Sequence, residues 1–288
     1  GILLAGATGV FGRLISLSEL PLVWYRMMIA AGVLAAVLAL GGRIHRPTLR
    51  EAWRMGCCGA LLAIHWVLFY GSIKAANVSV GVVCFALNGF FTALLEPMAS
   101  GKRFSLRDLL LGLITLGGIV LIFGLNMQFR TGIVIGTFSS LFYTLFAIAS
   151  KRVQSATGVE SSAMLLYELL TGWCVLSLAM PFYAMLYPSV SLMPEGSDWL
   201  FITLFASVFT IGPFLTQLQA LRTLSAFTVN LSYNLEPLYS IALAMLLFNE
   251  AQELNLSFWM GVSMIVAAVG YHAVCGKRSV FVKPDEQR

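Results

Sequence analysis

Arg26, Glu168 and Glu236 are ionisable side chains set inside long apolar runs, so each must bind a solute, pair with another group or carry a proton. A charge at the centre of a membrane-spanning helix costs about 2.5 to 3.5 kcal/mol, so something compensates each of them. Two arrangements do so: a water-filled cavity in which the charges meet a substrate, or pairing with a neighbouring helix that only fixes packing. Glu236 is nearest the middle of its run, whereas Arg26 and Glu168 lie within a turn or two of an edge. A carboxylate suits an ammonium and an arginine suits a carboxylate, so Glu236 and Arg26 together match an amino-acid-like zwitterion.

Polar and aromatic residues extend this set. Trp66, Tyr70 and Lys74 recur at every fourth position and share one helix face, with His65 and Phe69 beside them. The stripe suits an apolar or aromatic solute; alternatively, Tyr70 and Lys74 form an aromatic girdle ending in an interfacial lysine. His65 and Trp66 lie too deep for a girdle, and His65 is either hydrogen-bonded structure or a proton relay. Asn230, Tyr233, Asn234 and Pro237 share another face, which is too polar for lipid, and Pro237 releases the carbonyl of residue 233 and kinks its helix. Asn88, Thr92 and Cys84 make a matching face in the first half, where Gly89 permits close backbone approach. Glu96 sits at the end of that run, within reach of water.

Other chemistries lack their residues. There is no Ser/His/Asp arrangement, no clustered metal-ligand spacing and no phosphate-cradling glycine loop. The five cysteines lie in or beside apolar runs without a C-x-x-C spacing, so neither a disulfide framework nor a metal site is expected. The expectation is a protein that is not an enzyme, with no cofactor and no metal. Two competing readings stay open: an intramembrane enzyme using His65 and Glu236 as acid and base, and a non-transporting membrane scaffold with a closed apolar core.

The elements that position these residues follow from composition. Of 288 residues, 59% are hydrophobic and 11% charged, which excludes a soluble domain. The net charge of +5 is read through its placement, and no basic groove points to nucleic acid. Apolar runs near 1–17, 22–41, 55–73, 77–98, 107–125, 131–150, 162–187, 199–220, 226–248 and 256–275 predict ten transmembrane helices joined by short connections. Only twelve mostly apolar residues precede Arg13, so a few further residues are expected upstream of Gly1.

With the N-terminus in the cytoplasm, the inner segments carry Arg43, Arg46, Arg50, Arg54, Lys102, Arg103, Arg107, Lys151, Arg152, Arg222, Lys277, Arg278, Lys283 and Arg288. The outer loops carry Arg13, Lys74 and Arg130, together with Glu19, Glu195, Asp198, Glu250 and Glu253. This bias predicts both termini in the cytoplasm of a multi-pass protein in the cell membrane.

An internal repeat emerges at a shift of 148. Ser72 through Val78 then overlies Ala220 through Ala226, Lys74 falls on Arg222, Asn88 on Glu236 and Gly89 on Pro237. A shift of 142 sets Tyr25-Arg26 over Tyr167-Glu168, which marks Tyr167 and Glu168 as candidates beside Arg26. Five spans per half is an odd number, so two similar halves insert with opposite topology. The fold class expected is an all-α membrane protein of ten helices in two inverted five-helix repeats: 1–125, 126–276 and a cytoplasmic tail, 277–288.

These features resemble the EamA branch of the drug/metabolite transporter superfamily over the whole chain. The resemblance rests on Pro21 to Arg26, on Gly71-Ser72 through Val78, on Leu235-Glu236-Pro237 and on Asn249-Glu250 followed by Gly261. The first half departs from the usual pattern, with Gly89 where many relatives carry a mid-helix proline and Leu95-Glu96-Pro97 later in the span. The resemblance implies a cytoplasmic-membrane transporter of small metabolites, often an amino-acid exporter. Its expected partners are a small-molecule metabolite and the lipid bilayer, with protons as a possible coupling ion. Candidate substrate-binding residues are Arg26, His65, Trp66, Asn88, Tyr167, Glu168, Asn230, Tyr233, Asn234 and Glu236.

Overall fold

The computed structural model describes residues 2–42, 45–101, 104–123, 129–233, 236–248 and 256–280. These form fourteen helical segments, and no strand occurs among the described residues. In chain order they are α1 (Ile2–Gly6), α2 (Thr8–Leu14), α3 (Glu19–Leu40), α4 (Leu49–Ala75), α5 (Val78–Phe85), α6 (Asn88–Ser100) and α7 (Leu106–Phe123). The second half continues with α8 (Arg130–Thr157), α9 (Ser161–Leu186), α10 (Asp198–Ser207), α11 (Ile211–Thr223), α12 (Ala226–Tyr233), α13 (Glu236–Phe248) and α14 (Leu256–Val280). The apolar runs anticipated from the sequence are largely helical where they are described, with interruptions at 7, 86–87 and 208–210. Among the described residues six stretches are long and apolar enough to cross a membrane: α3, α4, α5 with α6, α8, α9, and α10 with α11.

Local chemistry sets the helix ends. Thr48 and Glu51 form a reciprocal capping box at the start of α4, which satisfies donors that the first turn leaves without partners. Gly158 closes α8 at φ +68°, a left-handed conformation that glycine adopts without a Cβ penalty.

Several spans are broken where backbone groups are freed. Between α5 and α6 the chain tightens, with Leu87 N–H bonding the Cys84 carbonyl and Gly89 N–H the Ala86 carbonyl. The carbonyls so released need partners in an apolar setting. Ser140 donates to the Phe85 carbonyl at 3.0 Å, and Thr144 to the Asn88 carbonyl at 3.3 Å. Between α10 and α11, Pro213 lacks the N–H that would bond residue 209, and the helix is interrupted over 208–210. That interruption exposes Thr210 to the interior.

The two halves share this plan. Asn77 caps α5 by accepting from Val80 N–H, and Ser225, 148 residues on, caps α12 by accepting from Thr228 N–H. At the same shift Asn88 of α6 overlies Glu236 of α13. Lys74 donates to the Ile15 carbonyl at 3.2 Å, and Arg222 to the Gly158 carbonyl at 3.5 Å, so the matched cations tie equivalent junctions. Corresponding spans also pack on each other: α3 on α9, α7 on α14, α5 on α13 and α6 on α12. Residues 234 and 235, beside which Pro237 is expected to kink its helix, lie outside the described residues.

Candidate functional site

Arg26 lies at the centre of the bundle, buried to 1% exposure on α3. Its Nε donates to Thr210 at 2.8 Å, using the hydroxyl that the α10–α11 break presents, and its Nη1 donates to Tyr70 at 2.7 Å. The guanidinium is packed against two rings, 3.6 Å from the Trp66 centroid and 4.1 Å from that of Phe205. Stacking of this kind offsets part of the cost of burying the cation. Nη2 has no partner.

Glu236 opens α13 on the same cavity, which also includes Thr8, His65, Trp66 and Tyr70 in its lining. Its Oε1 accepts a long 3.5 Å hydrogen bond from Thr8. Two opposite charges thus face one space while the arginine keeps a donor unused. Phe85, Tyr143, Phe214 and Tyr233 complete an aromatic wall, and Gln217 adds an amide. The cavity measures about 40 Å³, room for water but far below the roughly 300 Å³ at which small-molecule sites begin. The described conformation is therefore closed around its charges.

Both ends of the bundle are fastened between the halves. At one end Asp198, buried at the start of α10, accepts from the Ser16 backbone N–H at 3.1 Å and from its hydroxyl. Tyr183 donates to Glu19 nearby at 3.0 Å. At the other end Glu96 of α6 accepts from the backbone N–H groups of Ala226 and Phe227, at 3.2 and 2.8 Å. A carboxylate at a helix N-terminus satisfies free donors and the helix dipole together. Each half therefore holds the other by a buried carboxylate, once at each end.

Of the candidates read from sequence, the structure brings Arg26, His65, Trp66, Tyr233 and Glu236 together around the cavity. His65 is also locked to α8: its Nδ1 lies 2.9 Å from the Ser139 hydroxyl, which donates to the His65 carbonyl at 3.0 Å. No hydrogen bond joins His65 to Glu236 among the described residues, although both line the cavity.

The remaining candidates lie elsewhere. Asn88 is fully buried without lining the cavity, and neither amide atom has a hydrogen-bond partner among the described residues. Asn230 donates to Thr92 at 2.8 Å, linking α12 to α6. Tyr167 donates to the His45 carbonyl at 2.7 Å, outside the cavity lining. Glu168 is buried between helices, with Oε1 accepting from Ser150 at 2.7 Å, and a Cβ at Gly59 would collide with its carbonyl. Asn234, Leu235, Asn249, Glu250 and Glu253 lie outside the described residues, as do Arg43, Lys102, Arg103, Lys283 and Arg288 of the charge count.

Sequence reasoning did not single out Thr8, Tyr143, Thr210, Phe214 or Gln217. Gln217 carried a usable signal, being an amide within an apolar helix; Thr8 and Thr210 did not, since threonine satisfies itself in any helix. Tyr70 is corrected: it is fully buried and bonded to Arg26 rather than part of an interfacial girdle.

Apolar spanning helices closed around a polar, aromatic-lined centre define a multi-pass membrane protein. The sequence pattern of the EamA-like transporter family matches residues 1–124 and again 130–271, and the chain belongs to that family. Its members are transporters of the drug/metabolite superfamily, which handle small molecules in a lipid bilayer. No curated protein matches the chain. A solved structure, described only as the crystal structure of a protein, superposes with a TM-score of 0.70. It is 18% identical over 96% of this chain and 95% of that one, a likeness of fold alone.

Proposed function

We propose that this protein is a secondary transporter, an exporter of small zwitterionic metabolites such as amino acids, working by alternating access across the cytoplasmic membrane. The observation that carries the reading is the pairing of Arg26 and Glu236 across one aromatic-walled cavity, with Nη2 of the arginine unused. A substrate carboxylate answers the arginine and its ammonium answers the glutamate, while Trp66 and the other rings take an apolar side chain.

The matched caps and cation ties support ten spans in two repeats of five, inverted because five is odd. The boundaries that follow are 1–125 and 126–276, with 277–288 as a tail. The gathering of Arg46, Arg50, Arg54, Lys151, Arg152 and Arg222 at one end supports cytoplasmic termini. Reporter fusions after Arg54, Arg152 and Arg222 would read external if that orientation were wrong.

A cavity of 40 Å³ admits no amino acid, so transport requires the halves to separate at one end and then at the other. The Asp198–Ser16 and Glu96–α12 fastenings are the contacts such a cycle would break in turn. Protons on Glu236 provide one means of coupling. The decisive experiment is reconstitution in liposomes with uptake measured from a mixed metabolite pool. Saturable uptake of zwitterions supports the reading; a tight protein that moves nothing supports a scaffold instead.

A further inference from the structure

A second recess lies on the outer face of the bundle, between α4 and α8 with Ala99 of α6 at its side. It encloses about 630 Å³ and shares no lining residue with the central cavity. The two helices run antiparallel, so Arg54 near the start of α4 and Arg152 near the end of α8 stand at the same end. Leu61 and Leu145 stand at the other, each seven residues away, about 10 Å along the helix. The walls between are apolar, formed by side chains such as Ile148, Ala149 and Val153, and no acidic residue lines the recess. Trp53 flanks the arginines and is 74% exposed, the position an indole takes at a membrane interface.

The recess thus has a cationic mouth and an apolar shaft that opens sideways on the helix surface. An amphiphile with an anionic head and a hydrocarbon tail is complementary to both parts. A soluble anion would leave the shaft unused, and a neutral lipid would leave both guanidinium groups without a counter-charge.

We propose that this groove is a binding site for one anionic glycerophospholipid, its phosphate held by Arg54 and Arg152 and an acyl chain lying along α4 and α8. The site couples to function through its position, because α4 also carries His65, Trp66 and Tyr70 of the central cavity.

The test is a lipid titration of the detergent-purified protein followed by native mass spectrometry, using phosphatidylglycerol, phosphatidylcholine and glycerol 3-phosphate. One phosphatidylglycerol should bind ahead of phosphatidylcholine, and glycerol 3-phosphate should not displace it. Each arginine near a membrane surface contributes about 1 kcal/mol to anionic-lipid attraction, so Arg54→Gln with Arg152→Gln should weaken binding about thirty-fold. The exposed Arg46 and Arg50 lie outside the groove, and replacing both by Gln removes equal charge without loss of the bound lipid. Arg152→Gln alone, at an exposed position, and Ala149→Trp, which fills the shaft, should each lower occupancy while the melting temperature holds. Equal retention of phosphatidylcholine, equal loss in the Arg46/Arg50 variant, or displacement by glycerol 3-phosphate would overturn the proposal.

Discussion

The repeat sets Arg26 over Glu168 and Asn88 over Glu236, and in each pair one member lines the central cavity while the other is buried away from it. All four are buried and all four interrupt apolar helices. Polarity inside a span therefore marks a residue that avoids lipid, but only the rotation of its helix against the neighbours decides whether it meets solute or protein. Arg26 is turned toward Trp66, Phe205 and Thr210, whereas Glu168 is turned into the backbone of α4 at Gly59 and takes a hydrogen bond from Ser150. The first half contributes Arg26 and the second half Glu236 to the lining of one cavity.

The largest expected effect is at Arg26. Truncating one member of a buried, hydrogen-bonded charge pair costs 2 to 5 kcal/mol, so Arg26→Gln should lower kcat/KM by about a hundredfold or more in liposome flux. Arg26→Lys, which keeps charge but loses the planar fork, should recover little of it. Full activity in the lysine variant would reduce Arg26 to a point charge.

Trp66→Ala comes next. Removing the ring beneath the guanidinium should impair transport by about tenfold while folded yield falls less. Parallel losses of flux and detergent-stable protein would assign Trp66 to packing alone.

The off-cavity members should respond differently. Glu168→Gln keeps the hydrogen bond from Ser150 and relieves the burial of a charge, so the melting temperature should hold or rise with flux unchanged. Gly59→Ala, by contrast, forces a Cβ into the Glu168 backbone and should cost about 1 to 3 kcal/mol of stability. A strong loss of flux in Glu168→Gln at wild-type stability would move Glu168 into the transport path and break the comparison. The smallest effect is expected from Asn88→Ala, which deletes an amide without hydrogen-bond partners among the described residues and should change flux by less than about twofold with the melting temperature nearly unchanged.

Much of this arrangement was legible from the sequence. Apolar runs mark the helices, and the residue types of Arg26, His65, Trp66, Tyr233 and Glu236 single them out as candidates that the structure gathers around one cavity. Asn88 and Asn230 stand out because polar groups avoid lipid, and Tyr167 and Glu168 because the repeat sets them over Tyr25 and Arg26, yet none of the four lines the cavity in this conformation. Tyr70 was ambiguous because a tyrosine at a helix end serves an interface or a buried hydrogen bond equally well. Thr8 gave no signal, since its role depends on α2 and α13 meeting across 228 residues of sequence.

The central claim is that Glu236 and Arg26 hold the two charged ends of one substrate. The direct measurement is flux, together with melting temperature, for wild type and Glu236→Gln, using a transported amino acid and its analogue lacking the amino group. The account predicts that Glu236→Gln keeps the fold and loses most flux of the amino acid, while the deaminated acid is handled alike by both proteins. Undiminished amino-acid flux in Glu236→Gln at several external pH values would contradict it, removing Glu236 from substrate binding and from proton coupling together.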